Sequence, residues 1–337
     1  MRKTKKKFEW NAKTVLFLVL FIILAVYSLF LLYMIAWGIM SSLKSKLDFQ
    51  VNVLGFPNLD KNSVYSSYGE FFKFENYLTV FKSMVFKEND TKVVYYKGDT
   101  LITDYATRWF PNLFGVSTRA EYRSATIIDM LINTILYAGG SALICALVPA
   151  LTAYLCAKYP YKLSKIIFTV YTVIMCVPIV GAYPTELAFL QKTGLYNTLL
   201  GTYVQKMTGS GMYYFVYYAF YRGLSNTYRE AAELDGASEL RIMCNVFFPM
   251  SIKIIATVFL IQFVMYWNDY QTPLLYLPSW PTLAYAVHRI TISPIKELNF
   301  APVQIAASTM LALPVLVLFI IFKEKLMGNI SLGGIKE

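Results

Sequence analysis

Long apolar runs alternate along the chain with short polar segments that hold most of its charges. A helix that crosses about 30 Å of hydrocarbon needs roughly 20 mostly apolar residues, because its backbone groups must be hydrogen-bonded within the helix. Four runs meet this requirement, at residues 14–43, 130–157, 166–185 and 298–322. Two further runs, about 200–221 and 250–268, have shorter uncharged cores, with Lys206 and Lys253 near their ends, where long side chains can reach the interface. The pattern therefore predicts six membrane-spanning helices.

The distribution of basic residues predicts how these helices are oriented. Lysines and arginines concentrate before the first span, at 158–165, at 222–253 and after residue 323. The short segments on the other side hold only Lys192, Lys206, Arg289 and Lys296. Because short cytoplasmic segments are enriched in basic residues, both termini are predicted to face the cytoplasm. The basic start before the apolar run 14–43 resembles a signal peptide, but that run is long and lacks a small-residue cleavage site, so we interpret it as a retained anchor.

Composition excludes several classes of protein. Hydrophobic residues make up 57% of the 337 positions and charged residues 15%, which is too apolar for a soluble protein of this size. The net charge of +11 does not indicate nucleic-acid binding, because the basic residues separate apolar runs instead of clustering. Four cysteines without short spacings and a single histidine, His288, predict no zinc site and no disulfide framework. The chain also lacks the glycine-rich Gly-Lys-Ser/Thr turn that binds nucleotide phosphates.

A polar segment between the fourth and fifth predicted spans, residues 225–249, has clear local signals. Thr227, with Glu230 three residues later, is typical of a capping box, and good helix formers continue through Leu234. Gly236 can adopt the left-handed conformation that ends such a helix. Ser238 can then cap a second helix that runs toward Val246. The segment is predicted to be a helix, a turn and a helix.

Two further features of this segment indicate a docking element. Ala231 and Ala232 are small enough to let another protein surface approach closely. Pro249 suits the first turn of the following membrane helix, where its missing N–H has no partner to lose.

These residues resemble the EAA loop of binding-protein-dependent ABC importer permeases. The matching positions, in order, are Glu230, Ala231, Ala232, Gly236, Val246, Phe248 and Pro249. The spacing is complete, and Phe248 stands where leucine is usual. The resemblance extends over about 125–337, the first span and FENYLTVF at 74–81, whereas 84–121 departs from the pattern as an insertion. The chain is most similar to the carbohydrate permeases related to the six-span subunit of the maltose importer. The landmarks of that group are Asn133-Thr134, TGLYNT at 193–198, WNDY at 267–270 and GNISLGGIKE at 328–337.

The resemblance implies an all-α membrane protein with the type I ABC importer permease fold, six transmembrane helices and both termini in the cytoplasm. The implied domains are a cytoplasmic N-terminus with the first span (1–44), an extracytoplasmic loop with the insertion (45–124), the transmembrane domain (125–325) with its coupling loop (225–249), and a cytoplasmic tail (326–337). The loop 45–124 is either a decorated loop on the outer rim or a contact surface for an extracellular partner.

The resemblance also implies a function without catalysis. The chain would form, with a second permease, a path for a sugar or oligosaccharide delivered by an extracytoplasmic binding protein, in the plasma or inner membrane of a prokaryote. No cofactor or metal would be bound here, because two separate ATPase subunits would use ATP and Mg²⁺. A permease for another solute class and an ion-coupled carrier are alternatives. The carrier depends on ionisable groups within its spans, which the runs 14–43 and 298–322 lack.

Three groups of residues follow from this interpretation. The resemblance implies ATPase coupling through Glu230, Ala231, Ala232, Asp235, Gly236 and Pro249. It implies ATPase contact by the tail through Ser331, Gly333, Gly334 and Lys336, which would otherwise form an ordinary solvated terminus. The alternative for the loop is purely structural, with Thr227 and Glu230 capping a helix and Gly236 ending it.

The third group is aromatic. Four tyrosines share one helical face of the fourth predicted span: Tyr214, Tyr217, Tyr218 and Tyr221. Tyrosine combines an apolar plate with a hydroxyl, so this face could line a sugar pathway, but packing between helices or an interfacial aromatic belt explains it equally well. For Trp267, Asn268 and Asp269 we predict a capping and interface role at the outer end of the fifth span.

Overall fold

A computed structural model of the chain describes residues 12–57, 72–85, 91–97, 100–102, 117–122, 125–177, 181–207 and 211–327. These residues belong to two compact units. One unit comprises Met1–Val80 and Ile290–Met310, and the other comprises Phe81–Arg289 and Leu311–Glu337.

A long apolar helix and a polar helix that closes its end form much of the first unit. Its N-terminal part contains α1 (Ala12–Ser42), α2 (Lys46–Val51) and the beginning of α3 (Glu75–Ser83). α1 reaches a mean hydropathy of 3.1, which suits a helix in contact with lipid. The Asn76 side-chain amide donates to the carbonyls of Ser42, at 2.7 Å, and Lys44, at 3.0 Å. The hydroxyls of Ser42 and Tyr77 lie 2.6 Å apart. These bonds satisfy backbone groups at the point where α1 ends.

The insertion contains a three-stranded antiparallel sheet. Its strands are β1 (Thr91–Lys97), β2 (Thr100–Ile102) and β3 (Ser117–Tyr122), in the order β2-β1-β3. Tyr95 pairs with Ile102 on one side and with Thr118 on the other. The sequence KVVYYK is rich in β-branched and aromatic residues, which favour strands. The prediction of an all-α protein did not include this sheet, although the rest of the regular structure in the described chain is helical.

The remaining helices of the described chain run from residue 127 onward. They are α4 (Ile127–Lys158), α5 (Lys162–Cys176), α6 (Ala182–Thr193), α7 (Leu199–Met207), α8 (Gly211–Gly223), α9 (Thr227–Leu234), α10 (Glu239–Ile242), a π-helical turn (Met243–Phe247), α11 (Phe248–Trp267), α12 (Gln271–Tyr276), α13 (Leu283–Thr291) and α14 (Ala301–Met327). α4 starts with a capping box in which Thr126 and Asp129 each bind the other's backbone N–H.

Four helical stretches within the described residues are long and apolar enough to cross a membrane. They are Lys13–Ser42, Ile127–Lys158, Glu239–Trp267 and Ala301–Leu318. They coincide with the predicted spans at 14–43, 130–157, 250–268 and 298–322. Those four predictions are confirmed at the level of length and composition.

The two other predicted spans are interrupted. In place of one helix over 166–185, α5 ends at Cys176 and α6 starts at Ala182. Val177 is extended, with φ −88° and ψ 113°, as expected for a residue that precedes proline, and Gly181 has φ 76°. The run 200–221 is covered by α7, which ends at Met207, and α8, which starts at Gly211, and the residues between them lie outside the described chain. Hydropathy alone does not register helix breakers such as Pro178 and Gly181, and these two spans stay predictions.

Two sequence landmarks hold the same loop. The Thr134 hydroxyl accepts a hydrogen bond from the backbone N–H of Leu283, at 2.9 Å. The Asn197 side chain accepts from the backbone N–H of Ser279, at 3.0 Å, and donates to its hydroxyl, also at 3.0 Å. Asn197 has φ 60°, a conformation that asparagine tolerates better than most residues. The loop before α13 is thereby fixed to α4 and to the connection between α6 and α7.

The WNDY landmark lies where α11 ends, at Trp267, as predicted, and it also precedes α12, which was not predicted from the sequence. The Asp269 carboxylate accepts the backbone N–H groups of Gln271, at 2.9 Å, and Thr272, at 3.1 Å, in the first turn of α12. Its second oxygen accepts the hydroxyls of Thr272 and Tyr137, both at 2.6 Å. A carboxylate at a helix N-terminus is favourable because it satisfies otherwise unpaired N–H groups. Asp269 therefore anchors α12 to α4.

Candidate functional site

The turn after α9 has the predicted left-handed glycine. Gly236 has φ 75°, and its N–H donates to the carbonyl of Glu233 at 3.0 Å. The N–H of Ala237 donates to the carbonyl of Ala232, also at 3.0 Å. These two bonds pair carbonyls that the end of a helix leaves without partners. The helix-turn-helix prediction for this segment is confirmed, and Ser238 precedes α10 as predicted but makes no side-chain capping bond.

The start of α9 differs from the prediction. Thr227 lies inside the helix and Asn226 precedes it, without a side-chain cap. The Ser225 hydroxyl accepts the backbone N–H of Thr227, at 3.2 Å, and lies 2.7 Å from the Thr227 hydroxyl. The predicted capping box between Thr227 and Glu230 is therefore wrong. Ser225 forms a local turn with Thr227, which draws Thr227 into the helix.

The second helix of this segment continues directly into a spanning helix. α10, the π-helical turn and α11 together form one helical stretch, Glu239–Trp267. Pro249 lies in the first turn of α11, as predicted. Proline cannot donate a backbone hydrogen bond, and in an α-helix its ring would clash with the carbonyl four residues earlier. The π-helical turn at Met243–Phe247 accommodates it, so the segment beyond Gly236 leads into α11 with no loop between them.

Most of the predicted coupling residues lie on the outer surface of this segment. Glu230, Ala231, Asp235 and Gly236 are exposed, whereas Ala232 is half-buried against the hydrophobic core. Sequence reasoning did not select Leu234, whose side chain is the most exposed large apolar group here, at 90%. Tyr228, Ala231 and Leu234 are spaced to share one face of α9. Leu234 could have been selected from the sequence, because it is a large apolar residue that shares a face with Tyr228 and Ala231 on a short polar helix.

The inner side of the segment is attached to the end of α4. The Lys158 ammonium donates to the carbonyl of Leu224, at 2.7 Å, and to the side-chain oxygen of Asn226, at 3.1 Å. It also lies 5.0 Å from the centre of the Phe247 ring, within cation–π range. Lys158 is only 6% exposed, so these dipolar contacts take the place of water around its ammonium. This buried lysine fixes where α9 begins.

The tyrosine face of α8 lies inside the described helices. Tyr214, Tyr217 and Tyr221 have no exposed surface, and Tyr218 is half-buried. The Tyr221 hydroxyl donates to the Ser251 hydroxyl at 2.8 Å. α4 presents small residues to this core, namely Ala146, Ala150 and Ala153. Small residues let membrane helices approach closely, so burial favours the packing alternative for these three tyrosines. A pathway role stays a prediction.

The predicted tail residues Ser331, Gly333, Gly334 and Lys336 lie outside the described residues, so their contact with an ATPase stays a prediction. Within the described part of the chain, no group of three or more His, Cys, Asp or Glu side chains could hold a metal ion.

A protein family matches the part of the chain that carries this surface. The family described as "binding-protein-dependent transport system inner membrane component" matches residues 142–323, more than half of the chain. The chain belongs to this family. The matched region of this inner membrane component includes the whole coupling loop and its continuation into α11.

Individual relatives and a solved structure agree with this assignment. The chain is 28% identical over 241 residues to the melibiose/raffinose/stachyose import permease protein MelC of Bacillus subtilis (strain 168), covering 69% of this chain and 86% of that protein. It is 29% identical over 213 residues to the probable starch degradation products transport system permease protein AmyC of Thermoanaerobacterium thermosulfurigenes, covering 61% and 74%.

The fold of this inner membrane component is also that of a solved transporter chain. A chain in the crystal structure of a bacterial ABC transporter involved in the import of the acidic polysaccharide alginate superimposes with a TM-score of 0.64 at 15% identity. The match covers 95% of this chain and 99% of that chain. The chain is thus a multi-pass component of a prokaryotic membrane with the fold of an ABC importer permease.

Proposed function

We propose that this chain is the permease subunit of an ATP-binding-cassette importer and forms, with a second permease, the translocation path for a sugar or oligosaccharide. An extracytoplasmic binding protein delivers the substrate, and two separate ATPase subunits use ATP with Mg²⁺. Family membership supports the transport role. The sugars in the names of MelC and AmyC support the substrate class.

The observation that carries this proposal is the exposed coupling loop continuous with a spanning helix. Glu230, Ala231 and Asp235 form an exposed surface together with Leu234. The Leu234 side chain is 90% exposed and suits an apolar pocket on a partner. Closure of the ATPase pair around nucleotide displaces α9, and the uninterrupted helix transmits the displacement into the membrane. The pore then changes between two states, each stabilised by different contacts with the ATPase pair.

The six-span arrangement with both termini in the cytoplasm is part of the proposal. α5 with α6 and α7 with α8 supply the third and fourth crossings as broken helices. Broken helices are tolerated at membrane depth where protein surrounds the interruption. The concentration of basic residues at 158–165 and 222–253 supports the orientation.

Reconstitution tests the function. The complete complex in liposomes, with binding protein and ATP, is expected to accumulate radiolabelled raffinose or malto-oligosaccharides, and a non-hydrolysable ATP analogue is expected to abolish uptake. Uptake driven by a proton or sodium gradient without ATP would contradict the proposal in favour of a secondary carrier. ATP-dependent uptake of a different solute would support the role as an importer and contradict the proposed sugar substrate.

Sided labelling tests the orientation. Ala231→Cys, in a background with the four native cysteines replaced, is expected to react with a membrane-impermeant maleimide only in inside-out vesicles. The background is necessary because Cys176 and Cys244 are exposed. Lys296→Cys, on the opposite side by the charge distribution, serves as the control and should react only in right-side-out vesicles. Labelling of Ala231→Cys from outside would place the coupling loop where no ATPase can reach it.

A further inference from the structure

Three side chains from two separate parts of the chain meet beside the coupling loop. Arg229 lies on α9, Glu239 starts α10, and Tyr159 lies in the connection between α4 and α5. Arg229 donates from Nη2 to Oε1 of Glu239, while the Tyr159 hydroxyl donates to Oε2 of the same carboxylate. The Arg229 guanidinium also lies 4.6 Å from the centre of the Tyr159 ring. We call these three residues the 159/229/239 cluster.

The cluster is a network of several bonds in place of an isolated ion pair, with a Glu239 side chain that is 53% exposed. Isolated surface pairs contribute little, because water and salt screen them. Here the Arg229 side chain is 26% exposed, and its Nε donates to Glu233 at 2.7 Å, so α9 itself fixes the guanidinium. Both oxygens of Glu239 have partners. Burial, together with the hydrogen bond to Glu239, raises the pKa of the Tyr159 hydroxyl above its ordinary value.

The position of Tyr159 links the cluster to the connection between α4 and α5. Tyr159 directly follows the last residue of α4, and α5 begins three residues later, at Lys162. The neighbouring Lys158 binds the chain just before α9. The cluster therefore attaches the far side of the coupling loop, at the start of α10, to the same connection. The chain is thus held at the end of α4 both just before α9, through Lys158, and at the start of α10, through Glu239.

We propose that Tyr159 and Glu239 are positioning residues for coupling, which fix the angle of α9 so that force received there reaches α4 and α5 as well as α11. This inference rests on the proposed function, because it assumes that an ATPase moves α9. It assigns a coupling role to the first connection after α4, which the loop motif does not include.

The test compares two variants that each remove one contact with a matched control. Tyr159→Phe removes only the hydroxyl, and Glu239→Gln removes the charge that Arg229 binds. Tyr161→Phe removes a hydroxyl from the exposed tyrosine two residues away in the same connection. In the reconstituted complex, Tyr159→Phe and Glu239→Gln are expected to lower substrate transported per ATP hydrolysed about tenfold, as loss of a charge-assisted hydrogen bond would allow. Both variants should still bind the ATPase as the wild type does. The Tyr161→Phe variant should transport as much substrate per ATP hydrolysed as the wild type.

A second measurement separates this inference from the proposed function. Hydrogen exchange of the permease alone in nanodiscs should be about five to ten times faster at residues 227–242 in both variants than in Tyr161→Phe, since the cluster no longer holds α9. Unchanged exchange in both variants would contradict the inference that the 159/229/239 cluster holds α9 in place. Faster exchange with unchanged transport per ATP would overturn its role in coupling. A wild-type complex without ATP-driven uptake would instead reject the importer itself.

Discussion

Replacing Gly236 with valine is expected to lower ATP-driven uptake about tenfold or more, while the protein still inserts into the membrane. Gly236 has φ 75°, a left-handed conformation that costs other residues roughly 1–2 kcal/mol and β-branched residues more. A Cβ added there would meet no atom within 4 Å, so crowding does not contribute. Valine is therefore expected to act through strain in the turn that sets α9 against α10. Uptake per ATP hydrolysed in liposomes measures the effect.

Two further glycine variants separate strain in this turn from the added bulk of a side chain. Gly236→Asn should retain most of the activity, because asparagine tolerates the left-handed conformation. Gly223→Val adds the same side chain at another open position, the end of α8, whose φ is not positive. Its uptake should stay near that of the wild type. If Gly236→Val transports as well as Gly223→Val, the geometry of the turn is not part of coupling.

Truncating Tyr217 is expected to destabilise the permease strongly. Tyr217 has no exposed surface, and Tyr217→Ala should cost about 3–5 kcal/mol of unfolding free energy because it leaves a large cavity. Within the described part of the chain the Tyr217 hydroxyl has no hydrogen-bond partner, so Tyr217→Phe should be neutral or slightly stabilising. Tyr221→Phe should cost about 1 kcal/mol, because the bond to Ser251 is lost.

These three variants also decide between packing and pathway. Thermal unfolding in detergent micelles gives the order of stability, and competition between labelled sugars gives selectivity. If Tyr217 serves only in packing between helices, the Tyr217→Phe variant should keep the wild-type selectivity. A change in selectivity without a change in unfolding temperature would place that hydroxyl in the substrate path.

Local features of this fold could be predicted from the sequence because their causes are local. Gly236 ends α9 through its own backbone freedom, and Pro249 marks the first turn of α11 through its own ring. The long apolar runs of α1, α4 and α14 are set by the thickness of a bilayer. Each of these signals lies within a few turns of the structure that it specifies.

Features that depend on distant partners could not be predicted in this way. Tyr159 and Glu239 are 80 positions apart, and nothing near either residue indicates that they bind each other. The burial of Lys158 likewise depends on Leu224 and Asn226, far along the chain.

The start of α9 shows how a local signal can also mislead. The spacing of Thr227 to Glu230 fits a capping box, but the Ser225 hydroxyl competes successfully for the Thr227 N–H group. The outcome of such a competition depends on the direction from which the chain arrives after α8, and the sequence near Thr227 does not specify that direction.

The π-helical turn between α10 and α11 constrains the length of the chain at this point. Each residue of an α-helix turns the following residues by about 100°, so one residue lost from Met243–Phe247 would rotate all of α11 relative to the coupling loop. Ser251 would then point away from Tyr221, and the core beside α8 would lose its hydrogen bond. The number of residues in this turn thus sets the rotational phase between the coupling loop and α11.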